Sequence, residues 1–402
     1  LPNPIALSSI PSLLAACLVL LLGALLTRKI GFLSRYSIPG PIVGGLAFAI
    51  LVVALGLTTG QRVSMETTAK PYLLLLFFAS IGLTADLRLL AQGGARLLRF
   101  LVVLFPFLFA QNALGIAVAL GLGLHPLMGI IGGTITLVGG HGTGAAYAQR
   151  FAEVNNIQGV MELTMTSATL GLVLGGIIGG PVAQWIIRRY KLTSATLAST
   201  DGGVVGGPVA TPVTSMSVVA SLAAALIALI AGQKLGAFFE GAIITLPSFL
   251  WCLIIGLIIR NGGEALGFRL RDAASDLIGS ICLSLFLAWT MMTLDLANVV
   301  KLGGPLLVIL AFQAVLVAVW AATVSFRVVG RDYESAIISA AFCGFALGAT
   351  ATAIANMQAV TQRHGPAPQA FIVVPVVGAF LIDIMNALAL TVFLSLGFMG
   401  GG

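Results

Sequence analysis

Two short stretches of this sequence carry groups suited to holding an anion. Gly139-Gly140-His141-Gly142-Thr143-Gly144 sets one imidazole and one hydroxyl among glycines. At the start of a helix such a stretch presents unpaired N–H groups and a partial positive charge, and glycine lets a ligand approach the backbone. That chemistry suits a carboxylate. Thr350-Ala351-Thr352, with Asn356 one turn further on, offers the same groups. Small residues can also serve only to pack a tip against its neighbours, and His141 is open to both readings. No second histidine stands near it, so a metal site there has little support. Arg150 and Arg363 follow the two stretches. Each could grip a carboxylate bidentately or anchor a helix end at the interface.

A third group could hold a small cation. Asp383 lies in Phe380-Leu381-Ile382-Asp383-Ile384-Met385-Asn386, with apolar residues on both sides and Asn386 on the same helical face. An acid inside an apolar run is costly and is a functional candidate for that reason. Carboxylate, amide and free carbonyl oxygens together make a hard site. Glu162, followed by Thr166 and Ser167, is the matching candidate earlier in the chain. Asp276 is expected at an interface. Small-polar breaks are expected at Phe77–Thr84 and near Ala288-Trp289-Thr290.

The composition says what must position these groups. Of 402 residues, 59% are hydrophobic and 8% charged, and the mean hydropathy is +1.10. So few charges cannot cover the surface of a soluble chain this long. A soluble enzyme, a nucleic-acid binder and a disordered protein are excluded. The net charge of +7 fits basic loops on the cytoplasmic side of a membrane. Cys17, Cys252, Cys282 and Cys343 form no CxxC pair and read as packing residues. The first apolar run leads into Arg28-Lys29, and so reads as a span and not as a signal peptide.

At about 20 residues per span, the chain is read as an all-α polytopic membrane protein with ten transmembrane helices. Five lie near 11–30, 38–58, 71–87, 98–122 and 160–189. Five more lie near 216–232, 238–260, 273–294, 303–326 and 367–397. A polar cytoplasmic linker, 190–215, divides them. Segments 127–150 and 335–362 fit no ordinary span, being apolar, then broken by small residues, then amphipathic. Gly139, Gly140 and Gly142 are expected to interrupt the helix. Broken backbone at membrane depth survives only when buried or facing a watery cavity, so both segments are read as re-entrant hairpins.

With both termini outside, the loops facing out hold Arg62, Lys70, Arg150, Lys234 and Lys301, and the other basic residues of the 20 face the cytoplasm. The opposite orientation violates the positive-inside rule. Each half (11–189 and 216–397) then has five spans, with a hairpin between its fourth and fifth. Five is odd, so the halves are inverted repeats. Residues 139–146 align without gaps on 348–355, with Gly, Thr and Ala matching at three positions. Gly171 and Gly378 stand at similar depth after each hairpin. Inverted repeats with broken helices are the architecture of secondary transporters.

These residues also resemble a known family, the bacterial sodium/glutamate symporters. The resemblance rests on residues 139–146, on Gly175-Gly-Ile-Ile-Gly-Gly-Pro181, on Gly348–Met357, on Gly365-Pro366 and above all on Phe371–Leu388. It covers nearly the whole chain. One departure is Ala351, where the family often has proline between the two threonines. The resemblance implies Na⁺ as coupling ion, L-glutamate as substrate, the bacterial inner membrane, a homodimer and an elevator-like moving core. Taken with the residue chemistry above, substrate contacts are expected at His141, Gly142, Thr143, Gly144, Thr350, Ala351, Thr352, Asn356 and Arg363, and cation contacts, Na⁺ by the resemblance, at Asp383, Asn386, Thr166, Ser167 and Glu162. The residues by themselves point only to a carboxylate transporter with an ion-competent acid. A citrate-type carrier, a proton-coupled carrier and an ion channel remain the alternatives. No serine-nucleophile motif stands near a histidine, and Asp383 lacks an evident paired aspartate, so an enzyme is not expected.

Overall fold

The computed structural model describes residues 5–31, 33, 39–59, 63–154, 159–194, 213–239, 247–268, 270–293 and 296–396. Most of the expected linker (195–212), together with Arg35, Arg62 and Arg269, lies outside the described residues. The described chain is helical but for one short parallel strand pair, Ile5–Leu7 with Val63–Met65, which an all-α reading omits.

Among the described residues, seven helices are long and apolar enough to cross a membrane: Ser9–Lys29, Gly94–Gly121, Val160–Tyr190, Ser215–Phe238, Ser248–Ala265, Asp272–Met292 and Gly303–Val329. Shorter apolar helices are Gly40–Gly56, Lys70–Thr84, Pro126–Ile135, Tyr333–Leu347 and Ile382–Leu394. Polarity is arranged for lipid. Leu14, Leu18 and Leu21 on the first helix are exposed, while Ser12, Gln111, Asn112 and Gln313 are fully buried. An exposed apolar surface this extensive belongs against hydrocarbon. The chain is a helical, polytopic membrane protein.

Several expected boundaries move. The helix expected at 216–232 continues to Phe238, because nothing before Phe239 breaks it, and the next begins only at Ser248, after Pro247. Helices run unbroken through Phe77–Thr84 and Ala288–Thr290. Single hydroxyls such as Ser80 bond back to the preceding turn, here to the Leu76 carbonyl at 2.8 Å, and leave the helix intact.

The chain forms two compact units. The first comprises Leu1–Ala85 and Val213–Val300. Its helices pack backbone to backbone at small residues. A Cβ on Gly82 would fall 2.1 Å from the Leu253 carbonyl oxygen, and one on Gly256 2.5 Å from that of Ala79. In lipid such close approach is a main source of helix association.

The second unit comprises Asp86–Pro212 and Lys301–Gly402 and holds both broken segments. Its core is aromatic, with the rings of Phe107 and Phe342 in edge contact at 4.8 Å and Phe100 beside Phe345 at 6.3 Å. Asp332 opens the helix Tyr333–Leu347 by accepting from the Ser335 N–H at 2.8 Å. It also takes a bidentate pair from Arg96, at 2.9 and 2.7 Å.

Candidate functional site

The first broken segment begins as the helix Pro126–Ile130 and passes through a π-helical turn, Ile131–Ile135, where Gly133 is non-helical (φ −111°, ψ −135°). The Asn112 side chain accepts the Thr134 N–H at 3.0 Å and so satisfies a backbone donor at that irregularity. The chain then turns at Val138-Gly139. Gly140 adopts φ +63°, which an L side chain resists, and starts the helix Gly140–Val154. Gly142 does not interrupt this helix as expected. It lies in the first turn, where its N–H needs no helical partner, and alanines follow it.

The second segment has the same plan. The helix Tyr333–Leu347 ends at Gly348 (φ −149°, ψ −90°), Ala349 is extended, and the helix Thr350–His364 follows. The arms press together, and a Cβ on Gly344 would lie 2.4 Å from the Ala353 backbone. The two tips also meet: a Cβ on Gly140 would find the Gly348 carbonyl oxygen at 3.8 Å. Two helix N-termini therefore start beside one another. Between them they offer the N–H groups of Gly140, His141, Gly142, Thr350, Ala351 and Thr352.

Two continuous elements run past both tips. The helix Val160–Tyr190 meets the first segment at Ser167, whose hydroxyl lies 2.7 Å from that of Thr136, and at Thr169, 3.1 Å from His141 Nε2. Thr169 gives its own proton to the Met165 carbonyl at 2.8 Å, so His141 donates from Nε2. The same helix meets the second tip at Gly171, where a Cβ would fall 2.3 Å from the Leu347 carbonyl oxygen. The last element, Pro368–Val376, π-helical Val377–Leu381 and Ile382–Leu394, also meets both broken segments. Thr350 donates to the Gly378 carbonyl at 3.1 Å, and Asn386 donates to the Thr134 carbonyl at 3.0 Å. Half-buried Asp383 lies between these two contacts, and among the described residues no hydrogen bond or ion pair reaches it.

The site residues expected from sequence separate into groups. His141, Gly142, Thr143, Thr350, Ala351 and Thr352 lie at the adjoining tips. Thr352 is 4% exposed, and its hydroxyl has no partner among the described residues. Gly144 packs on Thr164, with a Cβ there falling 2.6 Å from the Thr164 methyl. Asn356 uses both amide protons, on the Gly175 and Ala340 carbonyls at 2.9 and 3.2 Å. Arg363 is exposed at the far end of its helix, thirteen residues and so roughly 20 Å from Thr350. Arg150 stands similarly far from Gly140, roughly 15 Å along its helix.

Of the cation candidates, Asn386 and Ser167 reach the same stretch, at Thr134 and Thr136. Thr166 spends its hydroxyl on the Glu162 carbonyl at 2.8 Å, and Glu162 lies in the first turn of that helix, away from the tips. Reading the sequence missed Gln111, Asn112, Thr134 and Gln313, all fully buried. The three amides did carry a signal, since an amide inside an apolar run deserves the same suspicion as an acid; Thr134 carried none. Among the described residues, no three His, Cys, Asp or Glu side chains gather to hold a metal ion. A cation here would be held by neutral oxygens and at most a lone carboxylate.

The family model for sodium/glutamate symporters matches residues 5–366. A sodium/glutamate symporter of Escherichia coli K12 is 41% identical over 398 residues, covering 98% of this chain and 99% of the relative. Its counterpart from Haemophilus influenzae is 40% identical over 390 residues, covering 96% of each. Among solved structures, a sodium proton antiporter of Methanocaldococcus jannaschii covers 98% of this chain and 99% of its own, at 15% identity and a TM-score of 0.41, too slight a likeness to carry an argument.

Proposed function

The chain belongs to the sodium/glutamate symporter family, and on that premise we propose that it carries L-glutamate into the cell by symport with Na⁺. The observation that carries this reading is the meeting of the two tips at Gly140 and Gly348, where the helices Gly140–Val154 and Thr350–His364 start, beside an element that bears Asp383. Paired N-termini bind a carboxylate through free N–H groups and the helix dipoles. The hydroxyls of Thr143 and Thr352 add donors, and the unpaired state of Thr352 within the described residues favours a ligand role. Na⁺ sits near Asp383 and Asn386, and its charge draws the substrate to the tips. Coupling is reciprocal: Na⁺ raises glutamate affinity by the factor by which glutamate raises Na⁺ affinity.

The finer architecture in this reading is ten spans and two re-entrant hairpins, in inverted repeats 11–189 and 216–397, with both termini outside the bacterial inner membrane. One pair of contacts supports the repeat. His141 with Thr169 and Thr350 with Gly378 correspond, both members displaced by the same interval along the chain. Inverted halves supply alternating access, since each can take the other's conformation and open the site to the opposite side. In an elevator-like cycle the unit holding both hairpins is the moving body. The protein works as a homodimer in this reading.

The test is labelled L-glutamate uptake into proteoliposomes under an imposed Na⁺ gradient, with a proton gradient alone as control. Accumulation only with Na⁺ is expected. Accumulation with protons alone makes Asp383 a proton carrier, and accumulation of citrate but not glutamate reassigns the substrate.

A further inference from the structure

The amides buried around the first hairpin's entering arm leave an unbalanced set of polar atoms. Asn386 donates through Nδ2 to the Thr134 carbonyl at 3.0 Å, Gln111 through Nε2 to the Ala346 carbonyl at 2.8 Å, and Gln313 through Nε2 to the Gln111 carbonyl at 2.9 Å. A carbonyl only accepts, so each bond fixes which end of the amide is nitrogen. The other ends, Asn386 Oδ1, Gln111 Oε1 and Gln313 Oε1, are oxygens without a partner among the described residues, and so is the Thr134 hydroxyl. Asn112 is turned the opposite way. Its Oδ1 accepts from the Thr134 N–H, and Nδ2 is the unpaired end. All five side chains are at most 1% exposed. The two groups that could donate, Asn112 Nδ2 and the Thr134 hydroxyl, reach none of these oxygens, so all four stay without a donor among the described residues. Buried oxygens lacking donors are costly, and a hard cation removes the cost.

We propose that Thr134 Oγ1 and Asn386 Oδ1 are direct ligands of the coupling cation. The site lies where the first hairpin's entering arm is broken, not only at Asp383. The two residues are already joined through the Thr134 carbonyl. Asp383 lies one turn before Asn386 on the same helix face and supplies the compensating charge. The backbone is π-helical and non-helical at Gly133, and irregular turns of this kind recur at functional sites because they free backbone carbonyls. Asn112 is a positioning residue: its bond to the Thr134 N–H holds the irregular turn, and its unpaired Nδ2 repels a cation and keeps the ion on the Asn386 side. This inference deepens the Na⁺-coupling reading above and rests on it.

The test compares Na⁺ activation of glutamate uptake in Thr134→Val, Thr134→Ser and wild-type proteoliposomes at saturating glutamate. Thr134→Val should raise the half-activating Na⁺ concentration by about tenfold or more. Thr134→Ser, which keeps the oxygen, should stay near wild type. Should the valine variant prove unstable, Asn386→Asp carries the test by shifting the same constant about tenfold. An unchanged Na⁺ constant in a transporting Thr134→Val or Asn386→Asp protein overturns the proposal and leaves Na⁺ coupling standing. Wild-type uptake that ignores Na⁺ overturns the coupling reading itself, and the two failures are thereby distinct.

Discussion

Asn386 and Thr134 stand 252 residues apart, yet the Asn386 amide donates to the Thr134 carbonyl at 3.0 Å, deep inside the protein. The bond ties the last helix to the broken arm of the first hairpin. Eight residues earlier on the same element, Gly378 accepts from Thr350 at the second tip. One element thus touches both broken segments, and Asp383 lies between the contacts.

Thr352 offers a buried hydroxyl at the second tip. If it donates to a glutamate carboxylate, the bond contributes about 1.5–3 kcal/mol. Thr352→Val should therefore raise the half-saturating glutamate concentration by about tenfold or more, and Thr352→Ser should largely restore it. Uptake kinetics at saturating Na⁺ decide the matter, and an unchanged constant in Thr352→Val removes the residue from the site.

Asp383→Asn keeps shape and polarity and removes charge. The half-activating Na⁺ concentration should rise by at least about tenfold, as expected when a charged ligand becomes neutral. Wild-type Na⁺ activation in this variant would move the ion elsewhere.

Two glycines, one at the first tip and one in an arm of the second broken segment, should respond differently to alanine. At Gly140 there is room, but φ is +63°, so Gly140→Ala should cost about 1–2 kcal/mol in backbone strain. At Gly344 the new Cβ would meet the Ala353 backbone at 2.4 Å, and the two arms must separate. Unfolding in detergent should rank Gly344→Ala as the more damaging change. The reverse order would contradict the packing described for the second hairpin.

The base of the second hairpin carries a pH signature. Burial pushes the Asp332 carboxyl up, but hydrogen bonds from Arg96 and Ser335 more than offset it and hold it at about 2, below its ordinary 3.8. A depressed carboxyl stabilises the fold above its unfolded pKa and loses that contribution as pH falls through the folded value. The stability gap between wild type and Asp332→Asn should be full at pH 5 and shrink as pH drops from about 4 to about 2. Because both side chains are partly exposed, the gap is expected to be modest. Melting curves across that range provide the check, and a gap that does not change with pH would contradict the pairing.

Much of the fold was legible because lipid makes simple demands. Long apolar runs became helices, and the breaks fell at Gly139-Gly140 and Gly348-Ala349, where backbone freedom marks them. Gly142 was misread because a glycine in a first helical turn carries little cost. The pairing of segments distant in sequence was not legible. Each compact unit takes one segment from each half of the chain, an association between distant segments that patterning along the sequence does not reveal. Arg363 follows the second tip closely in sequence, but a helix carries it far from that tip. Gln111, Asn112 and Gln313 were lost inside windows judged by average hydropathy, where a single amide hardly shifts the mean. Thr134 gave no warning, since only the close approach of Asn112 and Asn386 gives that position meaning.

The most direct test of coupling follows ²²Na⁺ and labelled L-glutamate entering the same proteoliposomes. Glutamate entry should stop without Na⁺, and Na⁺ entry should be stimulated by glutamate, in fixed proportion. Sodium entry that ignores glutamate, or glutamate entry that persists without sodium, would contradict coupled binding at the paired tips.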